Sequence, residues 1–279
     1  MTVVEFSAIV AAGSFCAGFL GSLTGLGGGV IVVPMLTLAM GVDIHYAIGA
    51  SLVSVIATSS GAAAAYVREG FTNIRIGMFL EMATTIGALA GAYIASYLPA
   101  AAIAVVFGIV LLQSAIATAG KKASPAKVEV KPEGLAKTFH LHGEYPGADG
   151  PVRYAARRVP LGFGLMGLAG VLSGLLGIGS GAVKVIAMDQ AMGLPFKVST
   201  TTSNFMIGVT AAASAGVYLR RGYIDPGVAM PVMLGVLAGS FTGARVLAGA
   251  KSQTLRWVFS GVAAVIALQM IYKGLTGNL

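Results

Sequence analysis

Charge is what this chain has least of. Asp, Glu, Lys and Arg make up 10% of its 279 residues, where a soluble domain carries about 25%. So few charges cannot cover a water-exposed surface of ordinary area, which excludes a soluble enzyme. Cysteine is reduced to Cys16, inside an apolar run, so neither a disulfide framework nor a thiolate metal cluster can form. A phosphate-cradling nucleotide loop, a His-Glu-x-x-His pair, an Asp-rich magnesium motif and a Ser/His/Asp set are all missing. ATP-driven chemistry is therefore excluded, and no cofactor, metal or catalytic residue is expected. No basic stretch precedes the first apolar run, which follows Glu5. That run reads as a membrane helix and not as a cleaved signal.

Apolar side chains are abundant: A, V, I, L, M, F, W, Y and C account for 56%, with 40 glycines besides. A disordered chain is poor in such residues, so disorder is excluded as well. The expectation is an all-α, multi-pass protein of the cell (cytoplasmic) membrane. The net charge of +8 is not a nucleic-acid signal, because eight of the eighteen basic residues lie between Lys121 and Arg158 and most others flank apolar runs. That placement suits lipid headgroups and the positive-inside bias.

Runs of spanning length, about 20 residues each, fall at 47–67, 74–98, 100–119, 198–219, 228–248 and 255–271. Two further runs are broken. One runs from Phe6 to Leu23, then Gly25-Leu26-Gly27-Gly28-Gly29, then Val30 to Met40; the other from Leu161 to Leu176, then Gly177-Ile178-Gly179-Ser180-Gly181, then Ala182 to Met192. The count is about eight transmembrane segments in two sets of four, each opening on a Gly-broken helix. The sets are copies. Shifting 17–91 by 152 gives 20 identities in 75 pairs without a gap, among them Gly25/Gly177, Gly27/Gly179, Gly29/Gly181, Ser51/Ser203, Arg68/Arg220 and Gly87/Gly239. Internal duplication of this kind marks many secondary transporters. The expected division is a first repeat at 1–119, a cytoplasmic linker at 120–159 and a second repeat at 160–279. Each broken run is taken as one crossing, since Val30 to Met40 is only about 16 Å of helix.

Within the linker, Lys121 to Lys137 reads as a loose tether. Phe139-His140-Leu141-His142 and Val152-Arg153-Tyr154 alternate around Pro146 to Gly150, which predicts a small β-hairpin.

An unbroken helix from Phe6 to Met40 would be about 52 Å long, far beyond a roughly 30 Å hydrocarbon core. Unpaired backbone groups survive at such depth only where protein buries them or water reaches them. Two glycine breaks, each opening a new helix, would turn free N–H groups and a helix dipole towards an anion. The alternative is that the glycines serve close helix packing. Candidate substrate-binding residues are Gly27, Gly28, Gly29, Gly179, Ser180 and Gly181. Hydroxyls and an amide that donate without a fixed charge follow each break, which adds Ser51, Ser203 and Asn204; Ser and Thr also bond back to their own helices. Three ionisable residues interrupt apolar runs: Lys184, Glu81 and Asp189. Such residues are functional candidates by default. Lys184 supplies an attractive charge three residues beyond Gly181, and Glu81 and Asp189 are candidates for coupling transport to a proton or another ion. Lys184 paired with Asp189 or Glu81 as structural glue is the other reading.

Gly25 to Leu36, followed by His45-Tyr46-Ala47-Ile48-Gly49-Ala50-Ser51-Leu52, resembles the first repeat of the sulfite exporter TauE/SafE family. Gly177 to Gly181, Ser203 and Arg221-Gly222-Tyr223-Ile224-Asp225 resemble the second. The resemblance implies a permease of the cytoplasmic membrane that moves sulfur-containing anions such as sulfite or organosulfonates. This chain departs from the pattern at Ser180, at Ile186 where the first repeat has Pro34, and at Lys184, a charge in a region usually apolar. The partners implied are a small anionic substrate, the lipid bilayer and a proton or ion for coupling; assembly as a homo-oligomer stays open. An anion channel, and a membrane scaffold or enzyme whose basic linker recruits a partner, are the competing functions.

Overall fold

The computed structural model describes residues 2–24, 28–68, 71–119, 134–147, 150–247 and 252–277. It is mostly helical. In chain order come α1 (Val3–Thr24), α2 (Gly29–Pro34) running into a π turn (Met35–Ala39), α3 (Ile44–Arg68), α4 (Ile74–Ala95) and α5 (Ala100–Ala119). A short α6 (Leu135–Thr138) and strands β1 (His142–Gly147) and β2 (Gly150–Ala155) follow. The helical series then resumes with α7 (Val159–Leu176), α8 (Gly181–Ile186) and a second π turn (Ala187–Ala191), α9 (Phe196–Arg220), α10 (Pro226–Leu247) and α11 (Ser252–Thr276). Among the described residues four helices, α1, α4, α7 and α10, are long and apolar enough to cross a membrane, and shorter apolar helical stretches lie at Gly29–Ala39, Ile44–Ser59, Ala100–Ile116 and Ser260–Thr276.

Local chemistry sets the helix starts. Asn73 accepts from the Ile76 N–H at 3.0 Å and caps α4. Asp225 accepts from Gly227 N–H at 2.8 Å ahead of α10, and Asp43 from His45 N–H at 2.9 Å ahead of α3. Each satisfies a donor that a helix start leaves open. Both π turns end alike: Val42 N–H bonds to Leu36 O and Leu194 N–H to Met188 O, each at 3.0 Å, past glycines with φ of 66° and 68°. This closure needs the left-handed residue that Gly41 and Gly193 supply. Pro34 does not cause the π turn, since Ile186 occupies the corresponding place before the second one.

The structure corrects the expectation that each glycine break is a kink in one crossing. Met192 O accepts from Arg157 N–H at 2.8 Å, Ser180 donates to Ala169 O at 2.6 Å, and Gly162 faces the Met192 side chain. The later the residue, the earlier its partner, so α8 and its π turn run back along α7. Gly28 beside Gly18, and Met35 against Gly13, give the same reversal of α2 along α1. Length arithmetic cannot tell a kink from a reversal. Positive φ at Gly177, Gly179 and Ser180 turns the chain about, and burial in protein shelters segments too short to span lipid.

The most extensive helix pairs are α1 with α10, α4 with α7, α5 with α11 and α3 with α9. Glycines make the first two close. A Cβ on Gly87 or Gly91 would collide with the backbone of α7 at Gly167 or Val171, and one on Gly18 or Gly239 with Val236 or Phe15 across the α1–α10 contact. Dispersion and backbone approach of this sort hold helices together where lipid offers no hydrophobic drive. Outward faces are apolar: Met78, Met82, Ile86, Leu89 and Tyr93 line one side of α4, and Met230, Leu234 and Phe241 one side of α10. Water would not tolerate so much exposed apolar surface, whereas lipid does.

The two ends of the bundle carry different groups. At one, His45 bonds to Ala95 O at 3.2 Å and stacks on Tyr223 at 5.0 Å, and Arg221 donates to Tyr97 at 2.9 Å. The starts of α4 and α9 meet at the other. There Asn73 N–H bonds to Thr202 at 3.0 Å, and Lys197 sits 3.5 Å from the Phe71 ring centroid. The hairpin docks at this second end. β1 and β2 pair antiparallel from His142–Ala155 to Gly147–Gly150, and buried Tyr154 accepts from Asn73 at 2.9 Å; that burial raises the phenol's pKa. Phe139 to Leu141 precede the strand, with φ of 53° at His140, so the first arm of the hairpin begins at His142 and not at Phe139.

Candidate functional site

Lys184, in the middle of α8, is fully buried. Its Nζ donates to Thr210 Oγ1 on α9 at 2.6 Å, and Thr210 in turn donates to Glu81 Oε1 on α4 at 2.7 Å. Glu81 is 7% exposed. Two opposite charges are thus held in the core through one hydroxyl, which can accept from an ammonium and donate to a carboxylate at once. Thr85 donates to Glu81 Oε1 at 3.2 Å. The second carboxylate oxygen, Oε2, is buried with no hydrogen-bond partner among the described residues. A buried pair of this kind is costly to assemble and more costly to break, since removing one partner strands the other.

The geometry follows from the reversal. Because α8 returns beside α7, Lys184 enters a space bounded by α4, α7 and α9. Gly77 lets the α4 backbone approach Thr202, Phe205 and Met206 of α9. Gly170 does the same between α7 and Thr84.

Several sequence candidates meet near this relay. Ser51 donates to Gly177 O at 2.8 Å, so the first half's hydroxyl helix touches the second half's break. A Cβ on Gly29 would stand 2.6 Å from Ser51 Oγ and 3.3 Å from Gly177 O, which brings the two breaks face to face across Ser51. Ser203 donates to Gly181 O at 3.2 Å. Gly179 and Gly181 pack on Ile207, and Ser180 turns towards α7. Gly28 packs instead on Gly18 and Val236, on the α1 side. Asn204 is half-buried on α9, and Asp189 lies partly buried in the second π turn. Gly27 lies outside the described residues. Thr210 is the residue that sequence reasoning missed. The signal was present, because Thr58 and Thr210 are one of the identities between the two halves.

A buried charge relay, glycine reversals at its edge and apolar outward faces define the class: a multi-pass helical membrane protein with a polar site in its core, built as transporters are and not as enzymes are. The family model for the sulfite exporter TauE/SafE matches residues 10–270, and the chain belongs to that family. It is 27% identical over 266 residues to the probable membrane transporter protein YunE of Bacillus subtilis, covering 93% of this chain and 95% of the relative. It is 28% identical over 232 residues to YdhB of the same organism, also a probable membrane transporter protein, covering 83% and 86%. A similar match, 25% over 271 residues and 92% of each chain, is to the probable membrane transporter protein MJ0441 of Methanocaldococcus jannaschii. No solved structure matches the chain.

Proposed function

We propose that the protein is a secondary carrier for small anions of the sulfite or organosulfonate type, working by alternating access in the cell membrane. The observation that carries this reading is the fully buried ammonium of Lys184 beside a glycine reversal, among hydroxyls and far from solvent. A cation so placed is an attractor for a negatively charged solute. Ser51, Ser203, Asn204, Gly29, Gly179, Ser180 and Gly181 would complete its shell once the breaks separate. The family's description as a sulfite exporter supports the cargo class.

The reversals favour about five crossings in each half, an odd number, which makes the halves inverted copies. Support comes from exchanged contacts: His45 stacks on Tyr223 while Lys197 covers Phe71, and these pairs interchange under the shift of 152. This topology collects Arg75, Lys137, Arg153, Arg157, Arg158 and Lys197 on one side. Arg220, Arg221 and Lys273 remain on the other. The first side is then cytoplasmic. A carrier is favoured over a channel by the contact of Gly29, Ser51 and Gly177, which closes the centre. The test is a thermal-shift screen against sulfite, sulfate, methanesulfonate and acetate, followed by flux into proteoliposomes. Selective stabilisation by one anion class with saturable flux is expected; absence of both for every anion refutes the reading.

A further inference from the structure

We propose that the site operates at zero net charge, so that each anion taken by Lys184 is accompanied by a proton taken by Glu81, and a monoanion and a proton travel together. This rests on the anion-carrier reading above and specifies its coupling and the charge of its cargo.

With the relay closed, Lys184 and Glu81 cancel through Thr210. An anion that settles on the ammonium takes away the counter-charge of the carboxylate. Glu81 would then hold a lone negative charge in a dry core, where isolated charge is far more costly than a neutral acid. The geometry supplies the place for the proton. Oε1 is already engaged by Thr210 and Thr85, while Oε2 is buried and has no hydrogen-bond partner among the described residues. A proton from the side to which the site is open binds Oε2, and the new O–H can donate to the anion. On release the proton leaves to the opposite solvent, and Lys184 re-forms the relay.

The neighbouring helices offer no rival at this level. Between Val159 and Leu176, α7 contributes no ionisable side chain. On α9 the ionisable residues are Lys197 at the start and Tyr218 and Arg220 near the end. The returning segment brings Lys184 and, five residues on, Asp189; α4 itself adds Arg75 at its start and Tyr93 near its end. Lys184 is the charged group that acts on Glu81. The same balance selects the cargo: a sulfonate or bisulfite closes the account at zero, whereas sulfate leaves an unmatched charge.

Purified protein in weakly buffered detergent, titrated with methanesulfonate beside a pH indicator, should take up about one proton per anion bound. By linkage, the apparent affinity on the alkaline side should fall about tenfold per pH unit. E81Q should bind with an affinity that no longer follows pH and without proton uptake. Should E81Q fail to fold, the wild-type proton count decides alone. In proteoliposomes, flux should ignore a potassium–valinomycin potential and follow a pH gradient. Binding without proton uptake, or flux that follows the potential, overturns the inference while leaving the carrier intact. Failure of every anion to bind overturns the carrier reading instead.

Discussion

The two halves place different chemistry on corresponding positions. Around the second break stand Lys184, Thr210 and Glu81, joined by hydrogen bonds. The corresponding positions, 152 residues earlier for Lys184 and Thr210 and 152 later for Glu81, are Val32, Thr58 and Met233. Val32 is buried, and Thr58, with nothing charged to bridge, bonds back to Ser54 O on its own helix at 2.9 Å. Thr210 also reaches its own helix, at 3.0 Å from Met206 O, but it alone spans a charge pair as well. The two Gly-rich breaks are alike in sequence, and Lys184 and Glu81 put a charge pair beside only one of them.

The largest expected effect comes from breaking the charged half. K184A should lower unfolding stability by about 3–5 kcal/mol, because it strands Glu81 in the core, and should abolish stabilisation by anions in the same melt. The double variant K184V/E81M writes the residues around the first break into the site at the second. It should recover most of that stability and none of the anion response; recovery of the response would show that the charges are not the attractor. Next in size are the helix contacts. G87V drives a side chain into the α7 backbone at Gly167 and G239V one into α1 at Phe15, and each should cost about 3 kcal/mol or more, or prevent folding. Unequal losses, read as yields of folded protein, would show that the halves pack differently. Smaller again is the threonine pair: T210V should cost about 2 kcal/mol by leaving the Lys184 ammonium unsatisfied and Glu81 with Thr85 as its side-chain donor, and T58V under about 1 kcal/mol. Equal losses in denaturant melts would erase the distinction between the halves. Smallest is K197A, which removes the cation over Phe71 and should cost about 0.5–1 kcal/mol.

Membrane class and helical content were legible because each rests on composition or spacing. The reversals were not. Gly25 to Gly29 and Gly177 to Gly181 permit a kink and a hairpin equally, and only positive φ at Gly177, Gly179 and Ser180 distinguishes them. Lys184 and Glu81 stood out as charges in apolar runs, yet their partnership did not. It depends on α8 folding back to bring residues 81, 184 and 210 together from three helices. Thr210 escaped notice because a hydroxyl inside a helix ordinarily bonds to its own backbone, as Thr58 does. Ser51 was legible as a polar position, but its partner Gly177 lies 126 residues away.

The pairing of α1 with α10, and of α7 with α4, bears on how the protein is made. When α1 leaves the ribosome, the surface it belongs against is the last but one long helix to be synthesised. Until then the nascent helix must wait beside lipid or an insertion chaperone, with Gly18 and its carbonyl-lined groove unfilled. A message truncated before α10 would therefore leave an orphaned first helix for quality-control proteases to find, and splitting the gene at the linker should yield fragments that mature only when both are expressed together.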